Sequence, residues 1–433
     1  TESLSRGTKI TASGAQVEGA DKRAYIAQSL MIGNKKLVLR DETLRPIWPG
    51  ANRVATLPGK IVVTAAEPSL HAALDPRFIA ETSREPAWGG LAIDQTILGA
   101  RRRPVESRHI SLNPFSVLLT LRVSDVVQRP LALLVMPMSG GLAMMMRDLA
   151  AGLLETHDVA LLDWVNARYV PLTAGRFGFQ ENVETTIAAL RHLGTGAHLV
   201  GVCQSGAVAA LAASALHQAG AAERPVSLAL LSSPIEPLAE QTRVSSLLAF
   251  TARSWLTGSM LSPVPRAFAG RGRMVYPAEL QQARLKLYLK NHLAAGTAVA
   301  RKITHDDGLE ADRFPFLERA TRLKDITGPA FTESIAAIYH DRVLWSGGFR
   351  FAGEIVRPRF VKDLAVMTVE AEGDDITAPG QTVAAHRLFA RVPDGLREHL
   401  LLDEGSHYSA FHGRPAIEEV TPALSRFMSA VAA

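Results

Sequence analysis

A chain of 433 residues, 47% hydrophobic and 21% charged, has ample apolar content for one large domain or two ordinary ones. Its formal charge of +5 is dispersed apart from Arg101-Arg102-Arg103 and lacks interleaved aromatics, so a solvated basic face is the reading and a nucleic-acid partner is not, with an anionic granule or membrane surface as the lesser option. The single cysteine, Cys203, excludes an intrachain disulfide and favours a reducing compartment, and no apolar run reaches the roughly 18 residues of a membrane span.

The chain begins at Thr1 without methionine, which leaves a removed leader open, although the residues themselves contain no signal peptide. No CxxC, HExxH or GKS/GKT phosphate loop occurs, so no metal or nucleotide cofactor is expected. Residues 1–108 are the least patterned part. Ser and Gly near the start suggest a loose terminus, while Lys36-Leu37-Val38-Leu39-Arg40 and Lys60-Ile61-Val62-Val63-Thr64 are strand-like. The Arg101-Arg102-Arg103-Pro104 run is expected to mark a boundary.

From residue 109 apolar strands alternate with helical stretches, the pattern of a mostly parallel sheet covered on both faces. Val117–Leu121 is expected as an edge strand. Leu131–Met136 is a buried strand that leads through Pro137-Met138-Ser139-Gly140-Gly141 into a helix over Arg147–Leu154. Val159–Leu162 is the next strand, and Gln180–Leu193 an amphipathic helix stopped by Gly194. His198–Val202 then enters Cys203-Gln204-Ser205-Gly206 and a helix of small residues. Strand, sharp turn and helix in that order form the nucleophile elbow of α/β-hydrolases, with cysteine at the centre in place of serine and Gly201, Ser205 and Gly206 as the small neighbours the turn needs.

Val226–Leu231 is a strand, after which the alternation lapses until about Asp363. That interval mixes Leu247, Phe250, Trp255, Phe314, Phe316 and other apolar residues with basic ones and is expected to be a mostly helical lid. Leu364–Val369 and Glu398–Leu402 are the last strands, with Gln381–Leu388 helical between them and a final helix over Ile417–Ala430. The resulting domains are 1–108 as a partly β N-terminal extension, 109–234 and 364–433 as two parts of an α/β-hydrolase core, and 235–363 as the lid.

A lone cysteine after a buried strand is ordinarily a small core hydrophobe. The placement of Asp374 after the strand 364–369 and of His407 after 398–402 changes that, because nucleophile, acid and histidine then follow separate strands in the chain order of α/β-hydrolases. Cys203 is the candidate nucleophile, His407 the base and Asp374 the orienting acid, with Asp375 the competing carboxylate. The Gln204 backbone N–H and one from the 138–140 loop, taken as Ser139, are the candidate oxyanion donors.

Asp163-Trp164, Ala167-Arg168, Val170-Pro171-Leu172, Arg191-His192-Leu193-Gly194, Val202-Cys203-Gln204, Gly272-Arg273, Val275-Tyr276-Pro277, Val369-Glu370, Asp374-Asp375-Ile376, Gly380-Gln381-Thr382, Ala384-Ala385-His386, His407-Tyr408 and Gly413-Arg414 together resemble the intracellular polyhydroxyalkanoate (PHB) depolymerases over about residues 130–430. The resemblance implies hydrolysis of poly(3-hydroxybutyrate) through a thioester on Cys203, with a granule surface or oligomers as partner, a cytoplasmic location, no cofactor and room for a homodimer. Departures are Ser205-Gly206 after Gln204 and Tyr408-Ser409 after His407. A polyester synthase or other acyltransferase using the same cysteine, and a non-catalytic granule-binding scaffold, are the alternatives.

Overall fold

The computed structural model describes residues 10–18, 23–32, 35–38, 90–126, 129–139 and 143–432. They fall into two compact units, 1–89 and 90–433. In the first unit, β1 (Ile10–Glu18), β2 (Arg23–Ile32) and β3 (Lys35–Val38) form an antiparallel sheet in that order. The expected β character is therefore present, and Lys36-Leu37-Val38 fall in β3. The expected strand at Lys60–Thr64 and the loose terminus at residues 1–9 lie outside the described residues.

The second unit is organised by a nine-stranded sheet. Its strands in chain order are β4 (Gln95–Leu98), β5 (Arg101–Asn113), β6 (Ser116–Val123), β7 (Leu131–Val135), β8 (Asp158–Trp164), β9 (His198–Val202) and β10 (Ser227–Leu231), followed after a long insertion by two more. Within the insertion lie the short strands β11 (Ser262–Pro263), β12 (Met274–Tyr276), β13 (Ile326–Thr327), β14 (Arg350–Phe351) and β15 (Glu354–Ile355). The main sheet then resumes with β16 (Ala365–Ala371) and β17 (Arg397–Leu402).

Across the main sheet the order is β17-β16-β10-β9-β7-β8-β6-β5-β4. The six strands from β17 to β8 are mutually parallel, and the other three are antiparallel. Every residue of β8, β9, β10 and β16 is buried, which is why these strands read as mainly apolar runs.

Helices α1 (Arg147–Leu153), α2 (Phe179–Leu193) and α3 (Ser205–Gln218) follow β7, β8 and β9. The crossover from β7 to β8 runs one way along the sheet, while those from β8 to β9 and β9 to β10 run the other. Right-handed crossovers place α1 on one face and α2 and α3 on the opposite one. Beneath this layer His157 and His198 are fully buried, ring edge to ring face at 5.4 Å. Burial pushes both imidazoles down to about 4, aided by Arg129 at His157 and by His157 at His198.

Three expectations need correction. Arg101–Pro104 is no boundary, because those residues pair with β4 in the register Arg101↔Leu98 to Pro104↔Gln95. The strand is exposed over most of its length, so consecutive like charges cost it little, and the boundary at 108 falls inside β5. Val117–Leu121 belongs to β6, an interior strand flanked by β5 and β8. The segment 381–388 is helical only over Ala385–Leu388. The reason lies in Glu370, a carboxylate that takes the N–H groups of Gly380, Thr382 and Val383 at 2.7–3.0 Å and so removes them from a helical ladder.

The insertion between β10 and β16 is largely helical. It holds helices over Arg243–Phe250, Arg253–Ser259, Ala278–Ala295, Ala298–Thr304, Phe316–Thr321 and Gly328–Ile335, then a π-helical turn at Ala336–His340 and a short helix at Val343–Ser346. Buried charges fasten it to the sheet. The Arg168 guanidinium donates to both oxygens of Asp325 at 3.0 and 2.7 Å and to Glu279 at 2.7 Å. Lys324 Nζ donates to Asp163 at 2.7 Å, and Arg319 pairs with Asp148 at 3.1 Å with both side chains buried.

Arg273 donates to the carbonyls of Val170, Pro171 and Gly175, and a Cβ at Gly270 would stand 2.7 Å from the Ala167 carbonyl oxygen. Several of the residue pairs singled out in the sequence thus serve this fastening. Removing one partner from such a buried pair costs about 3–5 kcal/mol.

Candidate active site

The turn after β9 is strained where the sequence pattern places it. Cys203 has φ +52°, a region costly for any residue with a side chain, and its N–H donates to the Leu231 carbonyl at 2.8 Å. Its neighbours are small because nothing else fits. A Cβ on Gly201 would lie 2.7 Å from Gly206 Cα, and one on Gly206 would lie 2.2 Å from Ser233 Oγ. Ser205 is buried and tied on three sides, accepting from Val202 N–H and donating toward the Val135 and Val202 carbonyls at 2.6–2.9 Å. Its hydroxyl braces the turn.

The loops after β16 and β17 meet through their backbones. Gly373 N–H donates to the Gly405 carbonyl at 2.9 Å, and a Cβ on Gly373 would stand 2.6 Å from that oxygen, so glycine is required there. This contact brings Asp374 Oδ2 to 2.8 Å from His407 Nδ1. Asp374 Oδ1 meanwhile accepts the N–H groups of Ile376 and Thr377 at 2.9 and 2.8 Å, which fixes the carboxylate's direction. Cys203 lies close enough to act electrostatically on the same imidazole. Asp374 and His407 are both 4% exposed, while Cys203 is half-buried and reachable.

Burial would lower the His407 pKa, but the Asp374 and Cys203 charges and the Asp374 hydrogen bond outweigh it and hold the imidazole well above its ordinary value. Asp375 turns elsewhere, accepting from Tyr288 Oη at 2.8 Å and pairing with His292 Nε2 at 3.1 Å. Ser139 Oγ donates to the Gln204 side chain at 3.2 Å, so the two candidate oxyanion residues are adjacent. Gly140, the last residue of that expected donor loop, lies outside the described residues.

Sequence reasoning missed Tyr339, Tyr288 and Glu370. Tyr339 is 8% exposed on the π-helical turn, and its phenol is pushed up by burial and by the Cys203 and Asp374 charges, so it stays protonated beside them. A cavity of about 190 Å³ opens beside Gln204 and Ser139, walled by Trp255, Tyr276, Phe331 and Ile335 of the insertion.

Among the described residues, Asp306, Asp307 and His412 could converge on a cation. Asp307 already accepts from Lys302 Nζ at 2.9 Å, however, and burial, Lys302 and Arg319 keep His412 well below its ordinary pKa and so neutral. The half-buried Asp306, the exposed Asp307 and the buried, neutral His412 thus border the Lys302–Asp307 pair.

The strand order, the opposed crossovers and the strained turn after β9 define the chain as an α/β-hydrolase. It is similar to the PHB depolymerases: residues 232–432 match the family model described as PHB de-polymerase C-terminus, which makes ester hydrolysis its general activity. Asp374 and His407 lie within the match, and Cys203 precedes it.

No curated protein matches the chain by sequence. Among solved structures, a bromoperoxidase from Bacillus anthracis shares 13% identity at a TM-score of 0.45, covering 75% of this chain and 99% of its own. A monoacylglycerol lipase from Paleococcus ferrophilus gives the same four values. A hydrolase from Pseudomonas aeruginosa PA01 shares 14% identity at 0.44, covering 75% and 98%. Topology, rather than these distant likenesses, defines the fold.

Proposed function

We propose that the chain hydrolyses ester bonds of poly(3-hydroxybutyrate) or related short-chain polyhydroxyalkanoates and their oligomers, with Cys203 as nucleophile, His407 as general base and acid, and Asp374 as the carboxylate that orients it. The observation that carries this reading is the hydrogen bond between Asp374 and His407, on the loops after β16 and β17, together with Cys203 on the strained turn after β9. Asp374 on Nδ1 leaves Nε2 for the thiol, the tautomer that attack requires. The raised imidazole pKa suits His407 to take and hold the Cys203 proton as attack begins.

The reaction then runs in two halves. Sγ adds to the ester carbonyl carbon, and the carbonyl π electrons move to oxygen. The oxyanion faces the Gln204 N–H and a donor from the Ser139 loop, each worth about 2.7–4 kcal/mol in the transition state. Collapse expels the alcohol, which takes the proton from His407 Nε2, and leaves a thioester on Cys203. Water, deprotonated by His407, adds to the thioester, and the acid departs as sulfur recovers its charge.

Substrate choice draws on three features. The family match names PHB, the cavity beside Gln204 is of a size for a short acyl unit, and the insertion 235–363 acts as a lid over it. Leu247 and Phe250, exposed at 60% and 78%, give that lid an apolar face for the surface of a polyester granule in the cytoplasm.

The test supplies amorphous poly(3-hydroxybutyrate) and, separately, 3-hydroxybutyryl-coenzyme A. Release of 3-hydroxybutyrate or its oligomers from the polymer, without polymer growth from the thioester, is the expected result. Free coenzyme A accompanied by polymer growth would make the chain a synthase, and polymer binding without cleavage would make it a scaffold.

A further inference from the structure

A second cleft, of about 450 Å³, is walled by residues 344–347, by 355–359 and by Arg387, Leu388 and Ala390. It shares no lining residue with the cavity beside Gln204, and its volume is in the range of small-molecule sites, about 300–1,000 Å³. Leu344, Val356, Pro358 and Leu388 give it a buried apolar floor.

Charge sets it apart from an ordinary surface hollow. Arg357, Arg359 and Arg387 line it, all exposed, and no Asp or Glu does. Among the described residues none of the three guanidinium groups is paired with a carboxylate. Aromatic rings hold two of them: Arg387 lies over Trp345 at 6.0 Å and Arg359 over Phe360 at 5.0 Å. Arg391 stacks on the same Phe360 ring at 4.8 Å, which brings a fourth cation beside the cleft.

Like charges gathered around a low-dielectric floor repel one another in the free protein and focus a positive field outward. Guanidinium is also the side chain whose fork matches a carboxylate. An occupant must therefore offer an anionic head to the arginines and an apolar body to the floor.

We propose that this cleft is a binding site for an organic acid with an apolar chain, its carboxylate held by Arg357, Arg359 and Arg387 and its chain laid on Leu344, Val356 and Leu388. The site is independent of the reaction assigned to Cys203.

Octanoate titrated calorimetrically into the full chain tests this. Saturable binding is expected, with octanol, the uncharged counterpart, at least about tenfold weaker. The Arg359→Gln/Arg387→Gln double variant is expected to lose octanoate affinity by at least about the same factor while keeping its melting temperature and ester turnover. Alkylating Cys203 beforehand should leave the titration unchanged, which separates the cleft from the space around the thiol.

Equal octanoate affinity in wild type and double variant overturns the proposal. So does loss of binding on alkylation, or binding of anionic phospholipid vesicles through these arginines without binding of octanoate.

Discussion

Asp374 and Asp375 are adjacent in the chain and turn to different partners. Asp374 Oδ2 sits 2.8 Å from His407 Nδ1, whereas Asp375 accepts from Tyr288 and pairs with His292, both on the helix Ala278–Ala295 of the insertion. One carboxylate serves the candidate catalytic histidine, and the next fastens the insertion to the same loop.

The two asparagine variants should therefore separate. Asp374→Asn is expected to lower kcat by about 10²–10⁴-fold, and Asp375→Asn to stay within about fivefold, as for loss of an exposed pair. In Asp374→Asn the largest raising charge is gone, so His407 should titrate lower than in the wild type in an NMR titration. Because the wild-type imidazole is raised, its contribution to stability is complete below the unfolded value of about 6.5 and is lost as pH rises through the folded value. The stability gap between wild type and Asp374→Asn, read from urea unfolding, should accordingly narrow toward alkaline pH.

Ser205 stands two residues from Cys203 and offers a rival hydroxyl, but its bonds to Val202 and Val135 commit it to the turn. Ser205→Ala should cost about 1–3 kcal/mol in stability by removing the hydroxyl's buried hydrogen bonds. It should still form the acyl adduct on Cys203, as read by mass spectrometry.

Arg168 is 6% exposed and satisfies Asp325, itself 4% exposed. Arg168→Met leaves that carboxylate buried without its cation and should destabilise the fold by about 3–5 kcal/mol in urea unfolding. Proteolysis should begin in the insertion that this pair holds.

His157 and His198 should make the protein acid-sensitive. Both are buried, neutral and depressed to about 4, so the unfolded chain gains their protons first as pH falls below about 6.5. Each then removes about 2 kcal/mol of stability by pH 5. The loss between pH 7 and 5 should be smaller in His157→Gln, measured by chemical denaturation at each pH.

The sequence made the parallel core legible because strands buried on both faces leave mainly apolar runs, and it made the elbow legible because Gly201 and Gly206 answer a steric demand. The antiparallel edge was hidden. Arg101–Asn113 is exposed on both sides and carries neither an apolar run nor alternation, so its charges suggested a break where a strand runs. The choice between Asp374 and Asp375 depended on the backbone contact from Gly373 to Gly405, a long-range relation without local signature. Tyr339 reaches the site from a π-helical turn, whose extra residue leaves no periodic trace. Glu370 entered the sequence reading only within the Val369-Glu370 pair and without a role, although its carboxylate organises the loop at 380–383.

The central claim is a covalent acyl-enzyme on Cys203. Wild type and Cys203→Ala would be mixed with amorphous poly(3-hydroxybutyrate), quenched in acid and examined by peptide mass spectrometry. The account predicts hydroxybutyryl mass on the peptide containing Cys203 in wild type, and neither adduct nor ester release in Cys203→Ala. Full ester release by Cys203→Ala, or an adduct on any other residue, would contradict it.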